Sequence, residues 1–212
     1  MVTDLAESWC ILTPPKTAST TLSQLFRDPH FRAVVTPEQH LMNPPPAARV
    51  IVSVRDPWTR AVSLWRHRLQ ELGDENRSLC PFIQYMEDVC RSRLDDFFCF
   101  TLNRWLQHVP RVDDLIRFER LEEDLRAVLP AFDWDAIRIP HENRNPVLTD
   151  NHPLRNTKWA RKTTIVRNPL ADPAARQLVL QWCAEDFVRF GYSTECCGRT
   201  GSPERAERGI EV

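Results

Sequence analysis

The sequence predicts an α/β fold with a central, mainly parallel sheet and helices on both faces. Three observations predict it. Short apolar runs recur: Trp9-Cys10-Ile11-Leu12, Val50-Ile51-Val52-Ser53-Val54 and Asp114-Leu115-Ile116-Arg117-Phe118. Each is followed by a stretch of helical periodicity, and strands alternating with helices build parallel sheets. The chain is 212 residues long, 42% apolar and 27% charged, enough to bury the core of one globular domain. That domain is drawn over residues 1–193, with a polar tail from 194 to 212.

Taken in order, residues 8–13 read as a short buried strand cut off by Pro14-Pro15. Ser19 to Arg27 reads as a helix with Leu22, Leu25 and Phe26 on one face. Ala33-Val34-Val35 is a short strand candidate. Asn43-Pro44-Pro45-Pro46 is a loop, since proline lacks the N–H that regular pairing needs. Residues 49–54 form the clearest strand. Pro57 suits the first turn of a helix that runs to about Leu72, with Val62, Trp65 and Leu69 inward. Glu71 to Ser78 is a polar loop. Helices follow near 81–91 and 95–108, the second aromatic (Phe97, Phe98, Phe100, Trp105), which at helical spacing reads as a core face. After the strand at 114–118 comes a helix from Leu121 to Leu129. Residues 140–172 are polar, basic and without periodicity; so long a loop in a compact domain usually serves function or is disordered. A last helix spans 173–190, with Gly191 as its C-cap.

Composition narrows the function. The net charge is −1, so no global field favours nucleic acid, and an anion site must be built locally. Three lysines stand among 28 basic residues, which draws attention to Lys16. Seven cysteines cannot all pair, and they show no zinc-ligand spacing, so no metal site is expected. The beginning Met1-Val2-Thr3-Asp4-Leu5-Ala6-Glu7 has neither a basic region nor an apolar core. A signal peptide, a membrane span and a membrane partner are therefore not expected, and a cytoplasmic location is.

The chemistry concentrates in two turns at strand ends. The first is Pro14-Pro15-Lys16-Thr17-Ala18-Ser19-Thr20-Thr21, and the second is Arg55-Asp56-Pro57-Trp58-Thr59-Arg60-Ala61-Val62-Ser63. A helix start presents unpaired N–H groups and a partial positive charge, which suit an anion. Lys16 adds a mobile cation, and Ser19, Thr20 and Thr21 add hydroxyls. The turn is not a Walker A loop, because it has no glycine. Arg55 ends a strand and Ser63 lies two turns into the helix, so both can reach one phosphate. The plain alternative for Arg55 is a surface ion pair with Asp56. Ligands of parallel sheets bind at the carboxyl ends of strands, where both turns sit. The pair suits a ligand with a phosphate at each end.

The first motif resembles the 5′-phosphosulfate loop of sulfotransferases, above all the heparan and uronyl 2-O-sulfotransferase branch. Arg55 through Ser63 resembles that family's 3′-phosphate strand and helix. Ile116-Arg117-Phe118-Glu119-Arg120-Leu121 is similar to its strand-then-helix segment, and Glu185-Asp186-Phe187 with Phe190-Gly191-Tyr192 to its closing helix. The resemblance implies a P-loop-NTPase-like three-layer α/β/α fold. It implies the donor 3′-phosphoadenosine 5′-phosphosulfate (PAPS), the product 3′,5′-ADP, and sulfuryl transfer to an acceptor hydroxyl of a carbohydrate or small metabolite, without metal. Lys16, Thr17, Ala18, Ser19, Thr20 and Thr21 would hold the 5′ end, and Arg55 and Ser63 the 3′-phosphate.

Lys16 is the candidate for steadying the leaving phosphate. A hydroxyl acceptor needs a base, and His40, which falls in the interval where related enzymes carry a catalytic His, is the choice, with Glu38 as substitute. A surface histidine is the plainer reading of His40. In Arg155-Asn156-Thr157-Lys158-Trp159-Ala160-Arg161-Lys162, Trp159 or a neighbour would lie against adenine and Lys158 or Arg161 near the 3′-phosphate. A solvated basic loop, or one that binds an acidic glycan, fits this segment as well. Two other functions stand beside sulfotransfer: an ATP-dependent small-molecule kinase with a degenerate P-loop, and a non-catalytic domain for sulfated or phosphorylated ligands. The acceptor and the oligomeric state are not legible.

Overall fold

The structure is a computed structural model that describes residues 1–4, 6, 8–28, 31, 33–35, 48–71, 81–91, 99–107, 109–139 and 169–196. Five strands form one sheet: β1 (Val2–Asp4), β2 (Trp9–Leu12), β3 (Ala33–Val35), β4 (Arg49–Val54) and β5 (Asp114–Arg117), in the order β3-β1-β2-β4-β5. β2 pairs parallel with β4 and β4 with β5, whereas β1 pairs antiparallel with both β2 and β3. Four strands therefore run one way and β1 alone runs against them. The parallel half carries the two turns.

Strand β4 shows why the sheet is buried on both sides. Side chains alternate across a strand. Ile51 joins Ile11 and Ile116 on one face, beneath α1 (Ser19–Leu25) and α5 (Leu121–Val128). Val50, Val52 and Val54 join Cys10 and Leu12 on the other, beneath α4 (Leu102–Leu106) and Phe190. A helical cluster lies beside this second layer. There α2 (Pro57–Glu71) packs Trp58, Ala61, Leu64 and Trp65 against α3 (Phe82–Cys90) and α6 (Pro173–Phe190). Leu22 of α1 is fully buried, and a side chain of that size buried so contributes about 1.5–3 kcal/mol.

Register is pinned at the end of the sheet away from the turns. Asp113 accepts the Val50 N–H at 2.7 Å, and Arg49 holds Asp114 at 2.6 Å. Caps fix the helix ends. Asp56 accepts the Thr59 N–H at 2.9 Å with Pro57 in the first turn, and Asp172 accepts the Ala174 N–H at 2.8 Å before Pro173. Gly191, with φ 68°, closes α6. The Tyr192 N–H returns to Phe187 O at 3.0 Å and the Gly191 N–H to Val188 O at 3.4 Å, a Schellman close.

Several expectations are revised. The sequence gives no sign of β1; three residues carry little pattern, and Val2 owes its strand to partners on both sides, Ile11 and Val35. The helix expected over 95–108 is, among the described residues, the short α4. It starts after Thr101, whose hydroxyl accepts the Arg104 N–H at 3.1 Å, while Asp186 accepts the N–H groups of Leu102 and Asn103. Trp105 is core, as read; Phe97 and Phe98 lie outside the described residues. On α2, Val62 and Leu69 border the buried stripe rather than centre it. No helix among the described residues is long and apolar enough to cross a membrane.

Candidate functional site

The first turn is held in a strained shape. Thr17 donates both its N–H (3.2 Å) and its hydroxyl (2.6 Å) to Pro14 O, which folds the chain sharply after β2. Lys16 and Ala18 sit at φ 66° and 84°, the left-handed region that L-residues enter at a cost of roughly 1–2 kcal/mol each. Among the described residues no side chain caps α1. The N–H groups of Ala18, Ser19, Thr20 and Thr21 make no hydrogen bond among the described residues. Left-handed residues ahead of open N–H groups are a backbone arrangement that suits an anion.

The second turn is fastened to the first. Leu12, the last residue of β2, is in register with Val52 of β4, so the two strands end within two residues of each other. The Ser53 hydroxyl lies 2.7 Å from the Thr17 hydroxyl; since Thr17 already donates to Pro14 O, Ser53 is the donor. Arg55, the first residue after β4, donates Nη1 to Lys16 O at 3.4 Å and Nε to Thr59 Oγ1 at 3.1 Å. Its guanidinium lies 4.3 Å over the Phe118 ring. Burial lowers the Arg55 pKa from its ordinary value, against the fields of Glu119 and Asp56, which raise it. No direct ion pair joins Arg55 to Asp56 among the described residues. Ser63 lies half-buried on α2, its hydroxyl without a hydrogen bond among them.

Two supports surround these turns. Arg60 is fully buried; its Nε donates to Pro15 O at 3.2 Å, its Nη2 to Phe100 O at 2.8 Å, and its Nη1 has no hydrogen-bond partner among the described residues. It therefore spans the first turn and the approach to α4, and burial lowers its pKa. Glu119 accepts the Asp56 N–H at 3.0 Å and the Tyr192 hydroxyl at 3.1 Å. Burial raises the Glu119 carboxyl, Asp56 and the Tyr192 phenol alike. The segments around Glu119 and Tyr192, far apart in the chain, thus meet behind Arg55.

The structure brings Lys16, Thr17, Ala18, Ser19, Thr20 and Thr21 to one edge of the sheet with Arg55, and Ser63 follows on α2. Thr17 is fully buried, so its hydroxyl shapes the turn rather than facing outward. His40 and Glu38, and Lys158, Trp159 and Arg161, lie outside the described residues. Among the described residues no three His, Cys, Asp or Glu side chains are grouped to hold a metal. The bracing role of Arg60 escaped the sequence reading, since nothing in the spacing says a charged side chain turns inward. Lys16, Arg55 and the open N–H groups from Ala18 to Thr21 thus gather at the ends of adjacent parallel strands, a combination whose chemistry suits an anion. Comparison of the chain with protein-family models, curated proteins and solved structures found no match.

Proposed function

We propose that this chain is a sulfotransferase with a P-loop-NTPase-like scaffold, moving a sulfuryl group from PAPS to an acceptor hydroxyl. One observation carries the reading: the Arg55 guanidinium reaches the Lys16 carbonyl across the ends of adjacent parallel strands. The two turns are then near enough to serve the two anionic ends of one nucleotide. The open N–H groups from Ala18 to Thr21 and the Ser63 hydroxyl suit those ends chemically.

In the proposed reaction the acceptor oxygen bonds to sulfur as the bond between sulfur and the 5′-phosphate oxygen breaks. The acceptor proton passes to a base, for which the sequence offers His40 or Glu38, and 3′,5′-ADP departs. Lys16 and the neighbouring N–H groups steady charge gathering on the leaving phosphate, and Arg55 with Ser63 holds the far phosphate. Most of the catalysis in such transfers is positioning and charge stabilisation.

A thermal-shift panel of 3′,5′-ADP, ADP, AMP and ATP with magnesium tests the donor class. A ligand that binds only the folded chain raises its stability, so 3′,5′-ADP should give the largest shift without metal. A larger shift with ATP and magnesium turns the reading toward a kinase. Lys16→Ala should lower transfer by about 10²–10³-fold, the range for removing one donor to a developing charge. Undiminished transfer would discard this mechanism.

A further inference from the structure

The cation that the two motifs leave out is Arg66. It lies on α2 with Thr59 and Ser63. Residues three and four apart share a helix face, so Thr59, Ser63 and Arg66 form a stripe that continues from Arg55. Arg66 stands about 4.5 Å beyond Ser63 along the axis, at 1.5 Å per residue. Helical side chains lean toward the N-terminus, which brings its guanidinium back over the Ser63 turn.

Among the described residues Arg66 has no charged partner. It is exposed and makes no hydrogen bond among them. Its field and that of Arg60 both oppose protonation of Arg55. The two carboxylates near Arg55 are already occupied: Asp56 caps α2, and Glu119 takes the Asp56 N–H and the Tyr192 hydroxyl. Among the described residues neither Arg55 nor Arg66 is ion-paired, and a dianion between them would offset their mutual repulsion.

We propose that Arg66 is a specificity residue that completes, with Arg55 and Ser63, a grip on the second phosphate of the nucleotide. The proposal rests on the sulfotransferase reading and adds to it a selector for nucleotides phosphorylated at both ends. Two guanidinium forks and a hydroxyl can meet the three terminal oxygens of one phosphate. A nucleotide with only a 5′-phosphate leaves the stripe unused.

The test is titration calorimetry of the wild type, Arg66→Gln and Arg66→Lys with 3′,5′-ADP and with AMP. Arg91→Gln, at the far end of α3, serves as a control of equal charge change. Arg66→Gln should bind 3′,5′-ADP about tenfold more weakly and AMP unchanged, the scale of one charge-assisted contact. Arg66→Lys should recover part of the loss, and Arg91→Gln should lose nothing. Equal loss for both nucleotides, no loss, or the same loss in Arg91→Gln overturns the role of Arg66. A wild type that does not prefer 3′,5′-ADP over AMP overturns the sulfotransferase reading, and this proposal with it.

Discussion

Asp186 is the buried carboxylate with the most work to do. It is fully buried, accepts the N–H groups of Leu102 at 2.8 Å and Asn103 at 2.7 Å, and so fixes the start of α4. Burial nevertheless raises its pKa above the ordinary 3.8, against those two N–H groups and the field of Arg60. An acid with a raised folded pKa binds its proton more tightly when folded. Its stability contribution is full below 3.8 and declines as pH rises through the folded value. Urea unfolding of wild type and Asp186→Asn at stepped pH should therefore show the advantage of the wild type shrinking as pH rises above 3.8. An advantage that grows with pH would mean that the N–H groups outweigh burial. At this scale the sequence shows which residues carry charge but not which are enclosed. Arg60 and Asp186 look like ordinary surface residues of amphipathic helices, and only packing reveals them as internal.

At the scale of elements, the close of α6 links local chemistry to the site. Gly191 takes a left-handed φ and turns the chain so that the Tyr192 hydroxyl meets Glu119. A Cβ built at Gly191 meets nothing within 4 Å, so an alanine there would suffer only the backbone penalty. Gly191→Ala should cost about 1 kcal/mol in chemical denaturation. A larger loss would mean that the Tyr192 contact is also displaced. This cap was legible in advance because glycine at a helix end has a local cause. The boundaries of α2, α5 and α6 were legible for similar reasons: Pro57, the apolar spacing after Leu121, and the Pro173–Gly191 pair. The short α4 and strand β1 were not, since their ends depend on residues remote in sequence, Asp186 for one and Ile11 with Val35 for the other.

At the scale of the whole molecule, the sheet is shared by two apolar layers. Trp9 and Trp134 belong with one face; Trp58 and Trp65 lie in the helical cluster that α6 joins to the other. Neither layer can lose its sheet without exposing the other, so unfolding should be cooperative. Tryptophan fluorescence and far-ultraviolet circular dichroism should give coincident urea midpoints. Separate midpoints would mean that the α2–α3–α6 cluster unfolds independently of the sheet. The same architecture places the candidate site. α1 leaves β2 for one face, α2 leaves β4 for the cluster beside the other, and the opening between them is where an open α/β sheet receives ligand.

By itself the sequence determined the strand–turn–helix units and the residues at their turns, because proline, glycine, hydroxyl and charge act through neighbours a few positions away. Tertiary structure alone decided that the turns after β2 and β4 lie side by side, that Arg60 points inward to brace the first, and that Glu119 and Tyr192 meet behind Arg55. Those outcomes depend on strand order and on burial of side chains distant in sequence, and no local pattern encodes either.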